Sequence, residues 1–334
     1  MNSKQRLDAY IGGQTVDRRP NLTILGSVVT RYGGIGMDEC CTDFRRMVEC
    51  ARGAAHDLEI DYIQIASDLA REAEGYGSIL RFSADKVPAV TRYALDDIGR
   101  ADEIKPLRAR EIPRLFDLVR AAKLALDDPD IYPMTLAVGP MTVACYLRGF
   151  REILSDLNAS PDAVGALLDK LCFTTLDFID ELANVGARYM YVADPVASVV
   201  TPEQYEQIVL PRHRRIFARM ESVGICGRLH MCGDTTRILP YSCGCGARII
   251  DVDSPVDLGR AIDIADERCI IGGNISPRRD VHSCGAQHTY DAIMACAAKA
   301  GGKRALFMPG CELPIDTKRE NIMAIAQALK DIGA

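Results

Sequence analysis

His230-Met231-Cys232-Gly233 and, much later in the chain, Pro309-Gly310-Cys311 carry the side chains best suited to chemistry. A His and a Cys two residues apart on a β-strand project to one face, and a thiolate from a distant element completes a set of one nitrogen and two sulfur donors. That set suits a zinc ion. Only a folded domain can bring Cys311 to the other two, so a local zinc knuckle or ribbon is excluded. Three protein ligands leave the fourth position of a tetrahedral ion open, as catalytic rather than structural sites require. Two other groupings are read without a metal. Cys243-Gly244-Cys245 is a tight glycine-containing segment, and His282, Cys284 and His288 belong to a loop or helix start after Ser276-Pro277.

Elements must hold these groups in place, and eight apolar runs alternate with helical patterns. The runs are Leu22 to Val29, Tyr62 to Asp68, Thr135 to Pro140, Tyr189 to Asp194, Arg228 to Gly233, Arg248 to Asp253, Cys269 to Asn274 and Ala305 to Gly310. Such alternation favours a parallel sheet with crossover helices. Ser160-Pro161-Asp162 offers an N-cap with proline at the first helical position, while Thr201 with Gln204 and Thr317 with Glu320 have capping-box spacing. The pattern predicts an α/β fold of the (β/α)8 TIM-barrel type. A doubly wound open sheet is the alternative, and no Gly-x-Gly-x-x-Gly opens a helix after the first run.

A barrel gathers its active site at the C-terminal ends of its strands. His230 and Cys232 end the fifth run, Cys311 follows the eighth, and Asp68, Asp194, Asp253 and Asn274 end four others. Asp194 and Asp253 are therefore candidate catalytic residues, each with the alternative of capping the turn made by Pro195 or by Ser254-Pro255. Asp253 or Glu312 could also supply a fourth, oxygen ligand to the metal. Asn274 is the candidate for cofactor contact, because Gly272-Gly273 before it lets backbone approach a ligand, although a glycine pair also serves a plain turn.

Composition excludes several classes. With 334 residues, 48% hydrophobic and 26% charged, the chain can bury a substantial core as one barrel domain. A net charge of -6 without long basic runs argues against nucleic acid as a partner. Arg212-His213-Arg214-Arg215 is the nearest basic cluster and reads as a solvated helix face. No signal-like segment follows Met1, and no apolar run approaches the roughly 20 residues of a membrane span, so a cytoplasmic protein without membrane partners is expected. Thirteen cysteines, an odd number, fit reduced thiols, with Cys145, Cys172, Cys269 and Cys296 as small buried hydrophobes.

At its motifs the chain resembles the uroporphyrinogen decarboxylase-like barrels, and within them the cobalamin-dependent methyltransferases related to methylcobalamin:coenzyme M methyltransferase. Leu7 to Pro20 looks like the family's opening helix and the turn before the first strand, an N-terminal helical extension to a barrel spanning 1–334. Asp68 to Gly77 resembles the segment after the second strand, and Ala193 to Ser198, leading to Thr201-Pro202-Glu203, the Asp-Pro turn after the fourth. His230-x-Cys232 with distant Cys311 matches the zinc motif of the methyltransferase branch. The arginine-rich motif with which true uroporphyrinogen decarboxylases hold their acidic tetrapyrrole is absent, since Gly26 to Gly34 offers only Arg31.

The resemblance implies a zinc-dependent methyl transfer between methylcobalamin and a thiol such as coenzyme M or homocysteine. Running the other way, the protein would demethylate a small methyl donor and load Co(I); decarboxylation of a porphyrinogen is the remaining alternative. The resemblance implies a separate corrinoid protein as the partner, docking over the C-terminal face, and a homodimer is the general expectation for the oligomeric state.

Overall fold

Seven of the eight apolar runs become strands of one parallel sheet. A computed structural model describes residues 1–333, and in it β1 (Ile63–Ile65) is followed by an antiparallel hairpin of β2 (Ile79–Ser83) and β3 (Lys86–Arg92). The remaining strands are β4 (Pro133–Val138), β5 (Tyr189–Ala193), β6 (Cys226–His230), β7 (Ile249–Asp251), β8 (Ile270–Ile275) and β9 (Ala305–Pro309). Their order, β1-β4-β5-β6-β7-β8-β9, follows the sequence, and helices cross between successive strands. This is a TIM-barrel-like α/β fold. Nearly every residue of these seven strands is buried, as expected of parallel strands enclosed on both faces.

The first run differs from expectation. Leu22 to Leu25 is buried but joins no ladder, and Val28–Gly33 is a helix. Side chains take the backbone bonds that a ladder would otherwise make: Asp61 accepts from Asn21 N at 2.6 Å, Asn21 from Thr23 N at 3.2 Å and Gln64 from Gly26 N at 3.2 Å. Ile24 O accepts from Leu313 N at 3.1 Å. The segment thereby ties the β1 edge of the sheet to the chain beyond β9 and closes the barrel. Gly26, at φ +56°, turns the chain out of the extended form.

Other local expectations were met unevenly. Thr201 and Gln204 form the capping box, and Pro161 opens the helix Pro161–Asn184, although Ser160 makes no side-chain cap bond. Thr317 does not cap; its hydroxyl donates to Pro314 O at 2.7 Å and the last helix begins at Arg319. Pro140, placed at a strand end, opens a helix instead. In the helix Leu210–Ser222, Arg212 and Arg215 pair with Asp169 as a surface face would, but His213 is fully buried.

An ion cluster fastens the N-terminal extension under the barrel. The helix Ser3–Ile11, closed by an Asn2–Gln5 capping box, sends Arg6 to Asp61 at 2.7 Å; Arg18 reaches the same carboxylate at 2.6 Å. Asp61 has no exposed surface, so its desolvation is offset only by these two cations and by hydrogen bonds from Ser3 and Asn21. Asp61→Ala should leave Arg18 without a carboxylate and Arg6 with Asp17 alone, and lower stability by about 3–5 kcal/mol. Chemical denaturation followed by circular dichroism measures this, and a loss under about 1 kcal/mol would show that the cluster does not anchor the extension.

Candidate metal centre

His230 is the last residue of β6, and its register partner on β7 is Asp251. The pairing has a chemical consequence: Asp251 Oδ2 lies 3.0 Å from His230 Nδ1 and accepts a hydrogen bond from it, which leaves Nε2 as the nitrogen that can ligate. Asp251 is itself gripped by Arg228, whose Nε is 2.9 Å from both carboxylate oxygens. Arg228 is 1% exposed inside the barrel, between the rings of Tyr62 and Tyr191. Burial opposes the charge on Asp251, but Arg228 and His230 hold its carboxyl below the usual range.

Cys232 lies beyond the end of β6, so pleat alternation does not aim it. A turn does. Gly233, at φ +88°, donates its N–H to Asp253 Oδ2 at 2.8 Å and folds the Cys232 loop back over His230. Cys311 arrives from the loop after β9 through Gly310, whose N–H donates to Ile275 O at 2.9 Å. A Cβ on Gly310 would sit 2.6 Å from Asp253 Cα, so only glycine lets these two loops meet.

The three donors converge. Cys311 Sγ is 3.6 Å from His230 Nε2, and the nitrogen and both sulfurs lie within 4.8 Å of one another. A tetrahedral ion with Zn–S near 2.3 Å and Zn–N near 2.0–2.1 Å spans sulfur to nitrogen by roughly 3.6 Å, so the donor set fits zinc in spacing and in chemistry. Among the described residues no other three His, Cys, Asp or Glu side chains come together in this way. His282 bonds to Asp316, His288 to Asp280 and Cys284 to Thr289, as the loop reading expects. Cys243 precedes β7 at the opposite end of the barrel, with Cys245 buried beside it.

The three donors share charge, and a bound metal would displace the protons that Cys311 and His230 hold. The Cys232 thiol is drawn down to about 5, chiefly by the hydrogen bond from Cys311, and by His230 against the effect of burial. Cys311 is pushed up in return. Burial lowers the proton affinity of His230, but Asp251 and Cys232 outweigh it and raise the imidazole to about 9. The trio forms one wall of a cavity of about 310 Å³ that opens at the C-terminal ends of the strands, with Tyr146, Tyr191 and Gln64 lining it and Val87 and Pro88 of β3 at its rim. Glu312, next to Cys311, faces the cavity too and is exposed at its mouth.

The other expected site residues stand behind this wall. Asp194 is fully buried, and its oxygens are taken by Thr142 Oγ1 at 2.7 Å, Thr142 N at 2.8 Å and His213 Nε2 at 3.1 Å. It caps the helix Pro140–Arg148 and does not reach the cavity, because the Pro195 turn directs it inward. Asp253 holds Gly233 and Ser254 N–H groups, so it shapes the Cys232 loop from behind. Asn274 donates to Asp253 O and Val256 O at 3.2 and 2.5 Å, steadying that turn. The preceding glycines serve strand packing: a Cβ would meet Met308 Cε at 2.6 Å from Gly272 and Val252 O at 2.3 Å from Gly273. Sequence reasoning missed Asp251 and Arg228. The signal was available, since Asp251 and Asp253 alternate on one face of an otherwise apolar strand end.

A family model described as uroporphyrinogen decarboxylase (URO-D) matches residues 2–332. The chain belongs to the URO-D family. Within it, the chain is 26% identical to a methylcobamide:CoM methyltransferase, MtbA, of Methanosarcina mazei, over 98% of this chain and 97% of that one. A uroporphyrinogen decarboxylase of Nocardioides sp. is 25% identical over 73% of this chain and 71% of its own length. A solved structure of a methyltransferase from Methanosarcina mazei superposes with a TM-score of 0.87, covering 99% of this chain and 98% of that one at 22% identity, which establishes the shared URO-D fold.

Three variants follow from the geometry. Cys232→Ser and Cys311→Ser should each lose tightly bound zinc, measured by elemental analysis, while circular dichroism remains that of the folded barrel. Asp251→Asn should retain the three ligands yet weaken zinc about 10–100-fold in a chelator competition, because the imidazole loses the carboxylate that orients it. Unchanged affinity would show that Asp251 serves Arg228 alone.

Proposed function

We propose that this protein is a zinc-dependent methyltransferase, moving a methyl group between a methylcorrinoid carried by a partner protein and a small thiol, with coenzyme M and homocysteine the candidates that the resemblance brings. The observation that carries the reading is the convergence of His230, Cys232 and Cys311 on the wall of an open cavity. Zinc, when bound, would make a substrate thiol a thiolate nucleophile at neutral pH. The full-length likeness to a protein named methylcobamide:CoM methyltransferase supports the same chemistry.

The chain's own residues then have distinct tasks. Asp251 keeps the proton on Nδ1 of His230, so Nε2 is available as a donor. Cys232 and Cys311 supply two thiolates, which keep electron density high at the metal and so at a bound substrate sulfur. Leu136, Tyr146 and Tyr191 form the walls that exclude water from around that sulfur. In-line transfer requires the methyl group to approach from the open side, and that side is the C-terminal face of the sheet. A corrinoid protein docked there would present its cofactor to the cavity. Running in reverse, the same arrangement would load Co(I) from a small methyl donor.

Decarboxylation of a porphyrinogen is the weaker reading. Its substrate has eight carboxylates, and among the described residues no Lys or Arg lines the cavity.

Zinc-loaded protein incubated with methylcobalamin and a small thiol should convert the corrinoid to Co(I) or its oxidised product, seen by visible absorption. Chelated protein should be inactive and regain activity with added zinc. Cys311→Ala should lower kcat by at least about 1000-fold, since it removes the metal and its activation together. A Cys311→Ala protein with full activity and no zinc would remove the proposal.

A further inference from the structure

We propose that the thiol taken by this site carries a neutral or positively charged far end, an aminothiol in preference to a sulfonate-bearing one, and that Glu312 is the group that reads it. This rests on the methyl-transfer reading above and narrows its substrate class.

Besides the metal-binding trio, the carboxylates that line the cavity are Asp68 and Glu312, and among the described residues no Lys or Arg does so. Guanidinium groups stand nearby, yet each is matched. Arg114 pairs with Asp68 and, at 2.8 Å, with Glu74. Arg71 is fully buried and pairs with Glu72 at 3.1 Å, and Arg228 is held by Asp251 at 2.9 Å. Asp68 is thereby neutralised from behind. Glu312 is left over: it lines the cavity beside Cys311 and, among the described residues, makes no salt bridge to any Lys, Arg or His.

The position of that carboxylate is built into the fold. Gly26, at φ +56°, lies against it, and a Cβ there would come within 2.4 Å of Glu312 Oε2 and 2.9 Å of its Cβ. Gln64 fixes the same turn from the floor of the cavity, accepting from Gly26 N at 3.2 Å and donating to Gly26 O at 3.4 Å. A side chain at position 26 would displace Glu312, so the closing segment of the barrel keeps a space for it.

Electrostatics then select the substrate. With a divalent ion held by two thiolates the charges of the metal and its protein ligands cancel, so Glu312 gives the cavity a net negative charge. A substrate thiolate adds another. A sulfonate at its far end would bring a third negative charge into a space of about 310 Å³ with no cation to receive it. An ammonium group at the same place would be attracted to Glu312 and could donate to it.

Three thiols that differ only at one end test this: cysteamine, 2-mercaptoethanol and 2-mercaptoethanesulfonate. Their binding to zinc-loaded full-length protein is measured by isothermal titration calorimetry, corrected for the acidity of each thiol, alongside methyl transfer from methylcobalamin. The ammonium compound should bind tightest and the sulfonate weakest, with at least about a tenfold span between them. Glu312→Gln, confirmed to hold zinc at the wild-type level, should reduce the span to about threefold or less. The wild-type series stands alone if that variant loses the metal through its neighbour Cys311. Equal binding of the three, or tightest binding of the sulfonate, overturns the proposal while leaving the methyl-transfer reading intact. Ordered binding without methyl transfer to any thiol overturns the methyl-transfer reading instead, and binding of none overturns both.

Discussion

The contact between Asp251 and His230 is the one on which the site depends, and it is a product of sheet register. In a parallel ladder the residues at the ends of adjacent strands sit side by side, and β6 pairs with β7 so that His230 meets Asp251. A shift of that pairing by one residue would reverse the faces of every side chain on β7 and remove the carboxylate from the imidazole. Arg228, two residues before His230 on the same face, then reaches the same carboxylate from within the barrel. A buried ion pair of this kind is a poor source of stability, since apolar residues of similar volume serve as well or better. Its value is orientation. It fixes which nitrogen of His230 faces the cavity and keeps that nitrogen a donor.

Outside this pair the centre is held by loops that support one another. Asp253 grips the Cys232 loop through Gly233, Asn274 grips the Asp253 turn, and Gly310 lets the Cys311 loop lie against Asp253. Loops after β6, β7 and β9 are thereby locked together against the end of β8 without any of these polar groups entering the cavity. Asp194 performs a parallel task one strand earlier, joining the Pro140–Arg148 helix to buried His213, whose other nitrogen meets Tyr205 at 3.0 Å. A side chain that ends a barrel strand can thus be needed for the site while making no contact with substrate.

These roles explain how much could be read from the chain. The strands were legible because parallel strands buried on both faces leave near-continuous apolar runs, and the three ligands were legible because His-x-Cys and a distant Cys are a chemical signature. The first run was apolar as well, but Asn21 and Asp61 supply the hydrogen bonds that a strand would have taken from a neighbour, and no pattern along one segment reveals an acceptor forty residues away. Aspartates at strand ends were recognised as candidates without being sorted. Sorting them needs the direction of each side chain, which depends on the turn that follows: Pro195 sends Asp194 inward, whereas Asp251 precedes its turn and remains on the pleat. His213 was hidden among arginines because a helix face is set by rotation about its axis, and one residue in four can face inward in a basic stretch.

The distribution of charge follows from the same architecture. A barrel core cannot leave a guanidinium or a carboxylate unpaired without a large desolvation cost, so Arg71, Arg114 and Arg228 each came with an acidic partner. The requirement relaxes where water enters. At the mouth Glu312 stands without a cation, reached by solvent, in a space that Gly26 leaves clear. An unpaired charge beside a metal-binding set is tolerated there because the cavity is open, and it sets the sign of the field that a ligand entering by that mouth must meet. The features that make the site chemically accessible therefore also make it selective.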